Sequence, residues 1–109
     1  MIKPTASFKE NLALLPSIEG VARLELTSAS GELLASIENQ PGKQGSLAVY
    51  AYLLETYGVL NAEAAAHGVE VFAEHGPDAK ARPGAHPNID RLFEVIAGAE
   101  PMQMTLVKA

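Results

Sequence analysis

The stretch VARLELT at residues 21–27, followed by LLASIE at residues 33–38, decides the fold of this chain. In both stretches apolar residues alternate with polar ones, as at Leu24 and Leu26, and this period of two is typical of a strand with one buried face. The intervening residues 28–31, Ser-Ala-Ser-Gly, have the composition of a turn. The sequence therefore predicts a β-hairpin.

Four helices are predicted around this hairpin. The first begins at a capping box over residues 7–10, Ser-Phe-Lys-Glu. The second covers Leu47–Tyr57, where apolar side chains recur on one face. The third begins at Asn61 and runs to about His75, with Gly76-Pro77 as its stop. The fourth begins at Pro87, a residue suited to the first helical position.

A third strand is predicted near the C-terminal end, where Met102, Met104 and Leu106 fall at alternate positions. The element order is then α-β-β-α-α-α-β. Because the strands and the helices are grouped in this order and do not alternate regularly, the sequence favours the α+β class. We expect a three-stranded, mostly antiparallel sheet, made by the hairpin and the C-terminal strand and packed by about four helices. We expect residues 1–109 to form a single domain, because 109 residues are too few for two ordinary domains.

Composition limits the classes of function. The chain has no cysteine and a net charge of -5. The first fact excludes disulfides, thiolate nucleophiles and cysteine zinc sites, and the second disfavours binding to nucleic-acid phosphates. No apolar stretch is long enough for a membrane span, and the N-terminal residues lack the apolar core of a secretion signal. We therefore expect a cytoplasmic protein that binds neither nucleic acid nor membrane.

The loop at residues 41–46, Pro-Gly-Lys-Gln-Gly-Ser, leads directly into the second predicted helix. The amides and the dipole of a helix N-terminus attract anions, and Lys43, Gln44 and Ser46 would assist them. The spacing is not that of a P-loop. The alternative is an ordinary hairpin-to-helix connection in which Ser46 is the N-cap.

A second basic concentration, at residues 80–87, contains Lys80, Arg82 and His86 and precedes the helix that starts at Pro87. If this loop meets the first one in space, the two form a shared anion pocket. If they stay apart, each is an ordinary solvated loop.

One face of the third predicted helix, over residues 62–75, carries ionisable side chains at helical spacing. They are Glu63, His67, Glu70 and Glu74. Three or more convergent ligands of this kind could hold a divalent metal for an enzyme. The alternative is a solvated face opposite the core side of the helix, and the sequence predicts no cofactor.

Aromatic and methionine side chains admit two interpretations. Tyr50 and Tyr57 share the apolar face of the second predicted helix and are expected in the core, whereas Tyr52 points away from that face. Met102 and Met104 share a strand face that suits either the core or a self-association surface. No serine lies in the Gly-x-Ser-x-Gly motif of a hydrolase, and the sequence leaves open whether the protein is an enzyme.

Four blocks are spread along the chain between residues 11 and 93: NLALLPSIEGVARLEL, GSLAVYAYLLETYG, AEHGPDAKARPG and HPNIDRLF. Taken together, these blocks resemble an uncharacterised family of small bacterial proteins, a domain of unknown function. The resemblance implies a bacterial, cytoplasmic protein with one domain. It transfers no catalytic or binding residue.

Three functions are consistent with these features. The favoured one is a non-catalytic, self-associating interaction module, a homo-oligomer that uses an exposed sheet edge or the methionine-bearing strand, because three strands leave edges unpaired. The second is a protein that binds a small anion or another small molecule between the loops at 41–46 and 80–87. The third is a metal-dependent enzyme built on the helix at 62–75.

Overall fold

A computed structural model describes every residue from Met1 to Ala109. Five helices and three strands follow one another along the chain. They are α1 (Phe8–Leu12), β1 (Val21–Thr27), β2 (Leu33–Glu38), α2 (Gln44–Tyr57), α3 (Ala62–Phe72), α4 (His75–Ala81), α5 (Pro87–Ile96) and β3 (Gln103–Lys108). The predicted α+β class is confirmed. None of the helices combines the length and the apolar run that a membrane span requires.

The three strands form one antiparallel sheet in the order β2-β1-β3. Leu24 of the central strand lies opposite Ile37 of β2 and Leu106 of β3. Alternate residues of a strand share a face, so Leu26 and Met104, which also lie opposite each other, are buried on the same side as Ile37. The hairpin and the C-terminal strand therefore pair within one chain, and Met104 belongs to the core and not to an exposed self-association surface.

α2 packs on the buried face of the sheet, α3 packs on α2, and α5 packs on α3. One cluster of 19 buried side chains joins the sheet to the helices. Gly68 of α3 lies where three helices approach most closely. A Cβ atom there would lie 2.9 Å from Leu53 Cδ1 of α2 and 3.0 Å from Leu92 Cδ1 of α5. A side chain at this position would therefore push α3 away from its neighbours.

The third predicted helix is shorter than predicted, because it does not reach His75, and α4 (His75–Ala81) is a further helix at the place where the sequence predicted a stop followed by a loop. α3 ends at Phe72, and Ala73 adopts φ 52° and ψ -119°. These angles are close to those of the first central residue of a type II′ turn, a position that favours glycine. Gly76 and Pro77 do not stop a helix but lie in the first turn of α4, where proline is tolerated because its missing N–H has no helical partner to lose.

α2 begins at Gln44 and not at Leu47. The Lys43 amide donates to the Gln40 carbonyl at 2.9 Å, and this turn directs the chain into the helix early. Ser46 consequently lies inside the first helical turn, and its predicted role as the N-cap is wrong.

Candidate functional site

A cleft of about 710 Å³ lies between the N-terminal ends of α2 and α5. Lys43, Gln44 and Ser46 line it from the start of α2. His86 and Asn88 line it from the start of α5. The two loops singled out in the sequence therefore meet in space, as a shared pocket requires.

An aromatic wall borders the cleft on another side. Phe8 of α1 stacks on Phe72 of α3, with ring centroids 5.3 Å apart and 24° between the planes. The Phe8 ring also meets His75 of α4 in an edge-to-face contact at 5.1 Å. A Cβ atom on Gly45 would lie only 3.2 Å from two atoms of the Phe8 ring, so glycine allows the start of α2 to approach this wall closely.

The two helix ends at the cleft have no side-chain cap, in contrast to α1 and α3. Ser7 caps α1, as predicted, and Asn61 caps α3, each through a side-chain oxygen that accepts an amide hydrogen. Neither Lys43, before α2, nor His86, before α5, makes such a bond. At the start of α2 the amides of Gln44, Gly45 and Ser46 have no backbone partner. At the start of α5 Pro87 has no N–H and the Ile89 amide donates to the His86 carbonyl at 3.0 Å, which leaves the Asn88 amide. These amides are available to a ligand, together with the positive ends of both helix dipoles.

A buried hydrogen-bond network fixes α5 relative to α2. Tyr50 of α2 is fully buried, as predicted, and its hydroxyl donates to the backbone carbonyl of Asn88. Arg91 Nη1 donates to the Tyr50 hydroxyl at 3.1 Å and to Asn88 Oδ1 at 2.9 Å. Burial raises the pKa of Tyr50 to about 12, so the hydroxyl stays protonated and keeps its role as a donor.

Arg82 does not line the cleft but lies behind His86. Its Nε donates to Asp78 Oδ1 at 3.0 Å, and Asp78 Oδ2 lies 2.6 Å from His86 Nε2. The hydrogen bonds from Arg82 and then from His86 hold the pKa of the Asp78 carboxyl well below its usual range. An ionised carboxylate only accepts, so His86 Nε2 carries the proton of this pair and Arg82 acts on the cleft through Asp78.

His75 is a cleft residue that the sequence reasoning missed as a ligand candidate. Its ring centroid lies 5.7 Å from that of His86. The sequence placed His75 at the end of a continuous third helix, whereas the turn at Ala73 redirects the chain and carries His75 to the cleft. An alanine gives no local signal for such a turn.

His67, a candidate metal ligand, is buried and only 7% exposed. Its Nε2 lies 2.7 Å from the Tyr52 hydroxyl, which accepts a hydrogen bond from the Ile2 amide at 3.0 Å. Tyr52, predicted to point away from the apolar face of the second helix, is nevertheless only 5% exposed, and the N-terminal segment contacts it through the Ile2 amide. Glu70 Oε1 lies 3.8 Å from His67 Nδ1 on the exposed side.

The other candidate metal ligands also have separate environments. Glu74 Oε1 accepts a hydrogen bond from the Phe8 amide at 2.7 Å, and this bond lowers the pKa of the Glu74 carboxyl. Glu63 is exposed in the first turn of α3. No three His, Cys, Asp or Glu side chains converge as a metal ion would require.

Asn11 of α1 is the buried polar residue that the sequence reasoning did not identify. It is 0% exposed, and its Nδ2 donates to the Thr5 carbonyl at 3.0 Å and to the Val71 carbonyl at 2.9 Å. Val71 lies in the last turn of α3, where carbonyls lack helical partners. Asn11 therefore ties α1, and with it Phe8, to the end of α3. Its position three residues after Phe8, on the apolar face of α1, is the sequence signal that could have revealed it.

Residues 8–106 match a protein family described as an uncharacterized protein conserved in bacteria, DUF2322. The chain belongs to this family. The predicted resemblance is thereby confirmed, and every cleft residue named above lies within the part of the chain that DUF2322 covers. No curated protein and no solved structure matches the chain. Membership in DUF2322 assigns no activity, so the cleft has to be interpreted from its own chemistry.

Proposed function

We propose that this protein binds a small organic anion in the cleft between the starts of α2 and α5. The observation that carries the proposal is that two uncapped helix N-termini meet at one cleft. The start of α2 supplies the free amides of Gln44, Gly45 and Ser46, and the start of α5 supplies that of Asn88. Each helix end also carries a partial positive charge equivalent to roughly half an elementary charge. A carboxylate or phosphate group is the chemical match to such a site.

Side chains at the cleft support the same choice of ligand. Lys43 lies exposed at the α2 side and is the one Lys, Arg, Asp or Glu residue that lines the cleft. The carboxylate of Asp78, behind His86, is paired with Arg82. The lining therefore carries a positive charge although the chain as a whole is acidic, and this favours an anionic ligand.

The size of the cleft supports an organic ligand. Its volume of about 710 Å³ lies within the range of roughly 300–1,000 Å³ that is typical of small-molecule sites. Such sites combine apolar walls with a few polar groups that fix the ligand's orientation, and this cleft has both.

Thermal denaturation with and without added anions tests the proposal. Phosphate, acetate, benzoate and phenyl phosphate at about 10 mM are compared with neutral benzyl alcohol, because a ligand that binds only the folded state raises Tm. We expect at least one anion to raise Tm and Lys43→Gln to reduce the rise. The control Lys108→Gln, which removes an exposed lysine on β3, should leave it unchanged. If none of the anions raises Tm, anion binding in this cleft is wrong.

A second proposal is self-association, in which β2 pairs with β2 of another copy to form a homodimer. β2 is an edge strand, and Leu33 and Leu34 on it are 57% and 48% exposed. An unpaired edge with exposed leucines and no lysine is prone to strand pairing. Light scattering at micromolar concentration should give the mass of a dimer for the wild type and of a monomer for Leu34→Lys, and a monomeric wild type would contradict the proposal.

We also propose that the protein works in the cytoplasm. The absence of cysteine fits a reducing compartment, where disulfides are rare. Fluorescence of a fusion protein in a bacterial cell, or fractionation, gives the location directly.

A further inference from the structure

We infer that the ligand of the cleft is an aryl anion, with an aromatic ring against Phe8 and a carboxylate or phosphate at the start of α2. This inference rests on the proposed anion binding and adds the chemical class of the ligand. It follows from three features of the cleft: its size, its row of aromatic rings and the distance between that row and the anion-binding amides.

The cleft is too large for an inorganic anion alone. A volume of about 710 Å³ accommodates a ligand of many heavy atoms, whereas a bare oxyanion would leave most of it filled with water. The rest of the ligand therefore has to match the remaining walls, which are formed by aromatic and aliphatic side chains.

Those walls favour an aromatic group over an aliphatic one. Phe72, Phe8, His75 and His86 form a continuous row, with successive ring centroids 5.3, 5.1 and 5.7 Å apart. Phe72 is 3% exposed and forms the buried end of the row. Phe8, His75 and His86 are only partly buried at the cleft. Aromatic rings attract one another in stacked and edge-to-face arrangements beyond the effect of buried area, so a further ring fits at this row.

The anion and the ring of the ligand must also be close together. Gly45 belongs to the first turn of α2, yet a Cβ atom on it would lie 3.2 Å from two atoms of the Phe8 ring. The amides that would hold the anion are thus next to the ring that would hold the aryl group. A ligand whose charged group is attached directly to the ring, or through one atom, satisfies both contacts.

Isothermal titration calorimetry with matched ligands tests this inference. Benzoate is compared with acetate and with cyclohexanecarboxylate, and phenyl phosphate with inorganic phosphate. We expect the aryl ligands to bind at least about tenfold more tightly than acetate and phosphate, because they bury a ring of apolar surface. Benzoate should bind about threefold more tightly than cyclohexanecarboxylate, which is the ratio that one aromatic contact gives.

Three variants show which residues bind the aryl group and which residue binds the anion. Phe8→Leu should remove the preference for benzoate over cyclohexanecarboxylate while acetate and phosphate bind as before. Gly45→Ala, which places a methyl group beside the Phe8 ring, should weaken the aryl ligands more than acetate, and it tests the same contact if Phe8→Leu does not fold. Lys43→Gln should weaken all anions alike.

The outcomes separate this inference from the proposed function. If acetate and phosphate bind but the aryl ligands bind no more tightly, the aryl inference is overturned and anion binding stands. If benzoate and cyclohexanecarboxylate bind equally, the aromatic character of the ligand is overturned. If no anion binds, both proposals fail.

Discussion

The Asn11→Asp variant tests how α1 is held, because it replaces one side-chain atom and keeps the shape. Nδ2 of Asn11 donates to the carbonyls of Thr5 and Val71. A carboxylate oxygen in its place donates to neither, so two carbonyl oxygens lose their partner and face a negative charge. Water does not replace the lost donor at the Val71 carbonyl, because that bond is buried, whereas the bond to the Thr5 carbonyl is only partly buried.

The magnitude follows from the number of lost bonds. A buried acceptor without a partner costs about 1–3 kcal/mol, so the buried Val71 carbonyl alone gives a loss of about 1–3 kcal/mol in the free energy of unfolding, to which the partly buried Thr5 carbonyl adds a smaller amount. The introduced carboxyl donates again when protonated, so folding raises its pKa above the unfolded value of about 3.9. A raised pKa in the folded state means that stability falls as pH rises, and the loss should be larger at pH 8 than at pH 5.

Urea denaturation followed by circular dichroism measures this loss. The matched control is Asn61→Asp, the same chemical change at the N-cap of α3, where the side-chain oxygen accepts the Ala64 amide. A carboxylate keeps that bond and is favoured by the helix dipole, so the control should lie within about 0.5 kcal/mol of the wild type or above it. Equal midpoints for the two variants would refute the role assigned to Asn11.

Three further variants probe the elements that position the cleft. Gly68→Ala adds a methyl group 2.9 Å from Leu53 Cδ1 and 3.0 Å from Leu92 Cδ1. This crowding should lower the free energy of unfolding by about 1–3 kcal/mol, against a gain of about 1 kcal/mol from the higher helix propensity of alanine. A rise in Tm would contradict the crowding. Ala73→Gly relieves the backbone strain at φ 52°, so the free energy of unfolding should stay constant or rise by about 1 kcal/mol, and a clear fall would show that the alanine methyl matters. Asp78→Asn should reduce stability at neutral pH. Since the carboxyl pKa of Asp78 is lowered in the folded protein, the difference from the wild type should begin to shrink as pH falls below the unfolded value of about 3.9 and should vanish only below the lower pKa of the folded protein. A difference that does not depend on pH would contradict the pairing with Arg82.

The parts of the fold that depend on local sequence are predictable. The alternation at residues 21–27 and 33–38 gives the hairpin and the face that it buries, since a strand's side-chain period is fixed by its backbone. Pro87 and the apolar period after it give α5 and its start. Four of the cleft residues, Lys43, Gln44, Ser46 and His86, are also found from sequence, because basic and polar residues before a helix are a local feature.

The features that depend on tertiary contacts are not predictable in this way. The turn at Ala73 contains no glycine or proline. It is accompanied by the packing of α1 against the end of α3, where Asn11 donates to the Val71 carbonyl and Glu74 accepts from the Phe8 amide. Whether the two loops meet depends on how α5 packs on α3 and on the bond from Tyr50 to α5. The turn at Ala73 and the approach of the two loops therefore depend on contacts between residues that are far apart in sequence.

Amide chemical shifts give the most direct test of anion binding in the cleft. A ¹⁵N-labelled sample titrated with benzoate reports each backbone N–H separately. The amides of Gly45, Ser46 and Asn88, at the starts of α2 and α5, should shift and saturate with one common Kd. Saturable shifts confined to the sheet, or no saturable shift at these three amides, would contradict the claim that the two helix ends form an anion site.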